Sequence, residues 1–251
     1  MKIVAFDLEI AEEFPESGIV DHSALGISCA ATLKAGTGSE NVVLWYEDRA
    51  EGMHGPRMFA DRCRALVASL LNYESAGYRI VTWNGHFDFR VIAHECKSSS
   101  YYQMCQGLAL RMIDPMFQFL TQEGYCIGLE KASLGMGGES KKEGIHGELA
   151  PVLWKESREA QNKVLSYVAG DVELTADLFR KIEERKELCR VTTSGNIACV
   201  PFPKLLDVEE CLKAPQAETP WWSTNPWTVG GPQDRDHIVA WAIDKHVDSV
   251  V

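Results

Sequence analysis

The chain enters its first structural element almost at once. Lys2-Ile3-Val4-Ala5-Phe6 is an apolar, β-rich run that passes straight into Asp7-Leu8-Glu9. Such a run reads as a buried strand, and Asp7 sits where it ends. Side chains alternate along a strand, so Asp7 and Glu9 leave the same face and can share one ion. Asp-x-Glu alone is a weak signal, because it recurs at Asp171/Glu173 and Asp207/Glu209. A turn carrying two solvated acids is the plainer alternative.

Two further motifs change the weight of the first. Asn84-Gly85-His86-Phe87-Asp88 follows a second apolar strand, Arg79-Ile80-Val81-Thr82-Trp83, and leads into a short helical pattern over residues 89–96. Asn-Gly is also a turn signal, and Asp88 also suits a helix cap. Tyr167-Val168-Ala169-Gly170-Asp171 lies in a helical pattern over residues 161–187, with apolar residues at three- and four-residue steps. Tyr167 and Asp171 therefore project from one side of a helix, one turn apart. Taken alone, that pair also fits a half-buried tyrosine beside a surface acid.

Together the motifs offer Asp7, Glu9, Asp88 and Asp171, four carboxylates from three distant segments. Carboxylates repel one another unless a cation stands between them, so collecting them in one place implies metal. Oxygen-only ligands favour Mg²⁺ or Mn²⁺ over zinc.

In order, spacing and placement these motifs resemble the DEDD superfamily of 3′→5′ exonucleases, in the branch whose third motif is Tyr-x-x-x-Asp. The His-x-x-x-x-Asp branch is not matched, since the residue five before Asp171 is Ser166. The segments 81–88 and 170–175, and Ser140-Lys141-Lys142-Glu143-Gly144 with Leu153-Trp154 after it, are similar to the proofreading domains of family B DNA polymerases and their free-standing relatives. The resemblance covers about residues 1–190; it departs at Ile10, where the family commonly has a small hydroxyl residue.

The resemblance implies an α/β, ribonuclease H-like mixed sheet flanked by helices. It also implies a two-metal exonuclease that removes nucleoside 5′-monophosphates from the 3′ end of single-stranded nucleic acid, with DNA ahead of RNA. Asp7, Glu9, Asp88 and Asp171 would hold two Mg²⁺ or Mn²⁺ ions and Tyr167 would orient the attacking water. Asn84 and Phe87 would contact substrate, and other replication or repair proteins would be companions. The basic pair Lys141 and Lys142, in a Gly/Lys/Glu-rich stretch over residues 133–148 that reads as a mobile loop, is expected to reach the phosphate backbone. Two alternatives stand beside this reading: a ribonuclease H-like endonuclease, which would not need Tyr167, and a non-catalytic module binding nucleic acid or a polymerase.

Composition sets bounds on all of this. The chain has 251 residues, enough for one full core with an appendage. No run is long enough to span a bilayer, and the N-terminus goes straight into a strand, so no membrane association or signal peptide is expected. Eight scattered cysteines without a Cys-x-x-Cys pair predict a reducing cytoplasm, with neither disulfides nor zinc. The net charge of −11 implies weak, salt-sensitive binding that leans on metals for affinity.

The pattern divides into a catalytic domain over residues 1–190 and a C-terminal extension over 191–251. Residues 23–33 and 41–46 read as strands, 59–72 as a helix with Phe59 on its apolar face, 111–114 as a strand and 115–121 as a helix. Asp114 is taken as a strand-end acid outside the site. In the extension, residues 190–202 read as a hairpin, Asp207 with Glu210 as a capped helix start, and 236–247 as a final helix. Trp221, Trp222 and Trp227 are expected to form a collar packed on the catalytic domain, with a base-stacking platform as the alternative. The acidic segment 11–21 has no assigned role.

Overall fold

The computed structural model describes residues 1–15, 21–36, 41–141, 147–223 and 241. Lys142, Trp227 and all of the expected final helix except Trp241 lie outside them. Strand β1 (Ile3–Ile10) pairs antiparallel with β2 (Ile27–Ala35) after a helical turn, α1 (His22–Leu25). Strand β3 (Asn41–Tyr46) extends the sheet antiparallel to β2. Helix α2 (Ala60–Ser75) then crosses to β4 (Arg79–Val81), which lies parallel to β1 on its other side. The order β3-β2-β1-β4 makes a mixed sheet with β1 in its interior. Helices α3 (Gly85–Glu95), α4 (Ser99–Arg111), α5 (Pro115–Glu123), α6 (Leu129–Gly135), α7 (Ala150–Glu156) and α8 (Arg158–Arg185) follow. A hairpin of β5 (Glu187–Val191) and β6 (Ile197–Pro201) and helix α9 (Val208–Lys213) complete the described fold.

The alternation within β1 decides where everything else goes. Val4, Phe6, Leu8 and Ile10 face a core shared with α2, α3 and α4. Ile3 and Ala5 face the opposite core, built with Val164, Val168, Val172 and Phe179 of α8. Period two then puts Asp7 and Glu9 on the α8 side. A strand buried on both faces needs helices on both faces, and that layering is what the chain adopts. A third cluster, with Phe119, Tyr125, Leu178, Leu188 and Phe202, seats the β5–β6 hairpin against α5 and α8.

Several expectations need correction. Residues 111–114 are not a strand: α4 runs to Arg111, and Ile113 makes only isolated bridges to Val81 and Asp207. The chain has no length for more, because Asp114 already caps α5, with Pro115 in its first turn. Phe59 stands before α2 and is 62% exposed rather than on its apolar face. Residues 23–25, expected to begin a strand, lie instead in α1 (His22–Leu25), capped by the Asp21 carboxylate that accepts from Ser23 N–H.

A disulfide joins Cys189 and Cys199, which stand directly opposite each other on β5 and β6. Sequence spacing hid the pair because hairpin register, not a Cys-x-x-Cys motif, brings the two together. With it goes the cysteine argument for a reducing compartment. The capped start at Asp207 is present as a full capping box with Glu210. No helix among the described residues is long and apolar enough to cross a membrane.

Candidate metal centre

Three of the four acids meet in one place. Carboxylate oxygens of Asp7, Glu9 and Asp171 all lie within 4.8 Å of one another. β1 supplies the first two, and α8, laid across that face, supplies the third from the turn that also carries Tyr167. Asp88 stands beside Asp7 rather than inside this group. From the first turn of α3, its Oδ1 accepts a hydrogen bond from Leu8 N–H at 3.1 Å, tying the second motif to the first strand. It does not act as the cap of α3. That position belongs to Asn84, in the left-handed region at φ 71°, where asparagine is one of the few tolerated residues.

Burial and mutual repulsion shape the electrostatics. Burial, helped by the charge of Asp171 and opposed by Lys141, pushes the Asp7 carboxyl from 3.8 up to about 8. Burial first and Asp7 second raise Glu9 and Asp88 well above the ordinary range, and burial raises Asp171 against the pull of Lys141. Such a group holds its full charge only with a cation in it. Its hard oxygen donors fit a divalent cation of the Mg²⁺ or Mn²⁺ kind.

Lys141 stands among these acids. Its ammonium contacts Asp171 Oδ2 and donates to the Tyr167 hydroxyl at 2.8 Å, and it lies 4.8 Å from the centre of the Tyr167 ring. Burial alone would lower the lysine, but Asp171 and Tyr167 outweigh it and hold the ammonium charged. Lys141, expected to reach the phosphate backbone from a mobile loop, thus stands in an ion pair with Asp171. The backbone places it: Lys141 N–H donates to Glu130 of α6 at 3.2 Å, and Ser133 donates to Glu139 O at 2.7 Å.

The group opens on two adjoining cavities. One of about 310 Å³ is lined by Asp7, Asp171, Trp83, Met116, Ile127 and Leu129. The other, about 540 Å³, meets it at Asn84, Gly128, Leu129 and Lys141, and is lined further by Glu9, Phe14, Phe87 and Tyr167. Asn84 and Phe87 therefore face the site. Asn84 Oδ1 is buried without a hydrogen-bond partner among the described residues. The Phe87 ring rests between Phe14 and His22, at 5.9 and 5.5 Å. So Phe14, within the acidic segment that had no role, helps to line the cavity.

Asp114 had been set aside as a strand-end acid. It is 1% exposed, accepts from Met116 and Phe117 N–H at the start of α5, and from Gly85 N–H at 2.8 Å. It therefore holds the Asn84-Gly85 turn in place. Gly85 itself is required there, since a Cβ would stand 2.3 Å from Thr82 Oγ1. Asp114-Pro115 as an N-cap pair was the available sequence signal. Gly147 also approaches the site: a Cβ there would lie 3.8 Å from the Tyr167 hydroxyl and 3.9 Å from Glu9 Oε2. Nothing in the sequence marked it.

The family model described as RNase_H superfamily matches residues 37–183. That is more than half of the chain, and the protein belongs to this superfamily. It is a ribonuclease H-like, nuclease-type domain, and its substrate is nucleic acid. The matched span includes Asn84, Asp88, Lys141, Tyr167 and Asp171 and begins after Asp7 and Glu9. No curated protein matches the chain.

Proposed function

We propose that the protein is a 3′→5′ exonuclease, releasing nucleoside 5′-monophosphates from single-stranded nucleic acid, with DNA ahead of RNA. The observation that supports this most is the Tyr167 hydroxyl beside the Asp7, Glu9 and Asp171 carboxylates, on the same helical face as Asp171. An endonuclease of this fold has no need of that tyrosine.

Asp7, Glu9 and Asp171 would hold one divalent cation, and Asp7 with Asp88 a second. When bound, the ions lower the cost of deprotonating water and neutralise the charge on the departing 3′-oxygen. The protein's own part is positioning. Tyr167 is neutral, since burial and then Asp171 raise its hydroxyl above the ordinary tyrosine value, so it can donate to and orient the attacking water. With a cation held at Asp171, Lys141 would be available to contact the scissile phosphate. Asn84 presents an unsatisfied amide oxygen to the terminal nucleotide, and Phe87 offers its ring. Lys142 is assigned to the phosphate backbone on its sequence position alone.

The test is digestion of 3′- and 5′-labelled single strands of DNA and RNA with Mg²⁺ or Mn²⁺. Stepwise loss of 3′ nucleotides is expected, abolished in Asp7→Ala and slowed on the order of 10²-fold in Tyr167→Phe. Internal cuts from the wild type would show an endonuclease instead, and an unaffected Tyr167→Phe would make Tyr167 a packing residue only.

A further inference from the structure

The segment after α9 carries two exposed tryptophans and sets one of them on Tyr125, one residue before the lining of the candidate site. Ala217 N–H donates to Thr121 O at 2.9 Å. At Gly124, with φ +78°, the Glu218 carbonyl oxygen lies 2.3 Å from where a Cβ would stand. The segment is thus laid on the end of α5 at a point that only glycine permits. This sets Trp222 against Tyr125, with ring centroids 4.8 Å apart. Tyr125 packs on Phe119 on one side and has the Arg190 guanidinium 5.3 Å from its ring, donating Nε–H to its hydroxyl at 3.1 Å.

Within the fold this arrangement is over-provided. Trp221 is 93% and Trp222 52% exposed, so neither forms the expected collar. Adjacent exposed indoles held in place by a backbone hydrogen bond and a fitted glycine mark a contact surface more than a packing remnant. Their position says what for. Tyr125 is followed directly by Cys126 and Ile127, which line the cavity at Asp7 and Asp171. Trp83, on the wall of the same cavity, donates its indole N–H to Ile127 O and packs in the core cluster that contains Tyr125. Tyr125 thus connects Trp222 to the segment that walls the cavity.

We propose that Trp221 and Trp222, backed by Tyr125 and Arg190, are a stacking platform for the bases of a single strand just upstream of the nucleotide held in the cavity. This rests on the exonuclease reading and adds where the rest of the strand lies. Nucleic acid is the substrate of this superfamily, and stacking is the contact that suits so acidic a chain. A chain of net charge −11 gains little from phosphate contacts, whereas base stacking is uncharged and works for every base. The Arg190 cation behind Tyr125 adds a positive charge.

Two probes separate platform from catalytic site: a 5′-labelled dodecathymidylate, and the p-nitrophenyl ester of thymidine 5′-monophosphate, which is too short to reach the tryptophans. Trp221→Ala and Trp222→Ala should each raise KM for the dodecamer about tenfold at unchanged kcat. The same loss should appear in its Kd measured in Ca²⁺, while ester hydrolysis and melting temperature stay at wild-type values. Trp222→Phe should restore most of the affinity and Trp222→Leu should not, since only the former keeps a π-face. Unchanged dodecamer binding in both alanine variants overturns the platform and leaves the face to another partner, such as a protein. Equal losses on both probes overturn it as well, because the tryptophans would then act within the cavity. A wild type that binds the dodecamer through these tryptophans yet cleaves neither probe keeps the platform and refutes the exonuclease.

Discussion

Lys141 joins two functions that its removal should separate. Its ammonium offsets carboxylates that burial and mutual repulsion would otherwise protonate. A divalent cation held by Asp171 would compete with it. Lys141→Met should therefore melt lower than wild type in chelator yet gain more from added Mg²⁺ or Mn²⁺, as followed by thermal melting against metal concentration. An equal gain in both proteins would show that lysine and metal do not compete. Asp114 gives a second test. Burial, partly offset by the N–H groups of Phe117, Gly85, Asn84 and Met116, raises its carboxyl from 3.8 to about 6. The folded state then binds its proton more readily than the unfolded state, so stability due to this group rises as pH falls from about 6 towards 4. Asp114→Asn lacks that proton, and the difference in unfolding free energy between wild type and variant should shift in favour of wild type across that window. A pH-independent difference would remove the idea.

At the scale of elements, β1 and α8 are set by their own periods, whereas the β5–β6 hairpin is set by what it is paired to. Its Cys189–Cys199 link closes a loop with a sequence separation of ten. In the chain-entropy view, closing so short a loop stabilises by roughly 2–3 kcal/mol. The hairpin also packs on α6, where Gly135 leaves only 2.4 Å between a would-be Cβ and the Arg190 Cα. Cys189→Ser should lower the unfolding free energy by about that amount, in non-reducing buffer, without changing metal affinity, because the hairpin lies behind α6 and not in the acid group. A variant as stable as wild type would mean that β5 and β6 hold their register through packing alone.

Across the whole molecule, a tryptophan that the sequence did not single out packs into the catalytic layer from late in the chain. Trp241 is 6% exposed in the core with α3 and α4. Its indole donates to the Tyr102 hydroxyl at 2.9 Å and its carbonyl accepts from Gln106 at 2.6 Å. Trp241→Ala should cost about 3–5 kcal/mol in denaturant unfolding. Trp221→Ala, at 93% exposure, should stay within about 0.5 kcal/mol. Similar losses at both positions would show that the extension packs as one collar after all.

What the sequence determined by itself was periodic. A two-residue period put Asp7 and Glu9 on one side of a strand, a helical period put Tyr167 and Asp171 one turn apart, and the mixed sheet flanked by helices followed from the resemblance those motifs carry. Only the tertiary structure decided that the two carboxylate faces meet. It also decided that Lys141 stands between them, that Asp114 holds the Asn84-Gly85 turn, that Cys189 faces Cys199, and that Trp241 rather than Trp221 or Trp222 is buried. The physical reason is the range of the signals. Alternation and helical repeat are properties of a few consecutive residues, whereas burial, pairing and the charge around a side chain depend on segments far apart in the chain, brought together only when both faces of β1 are covered.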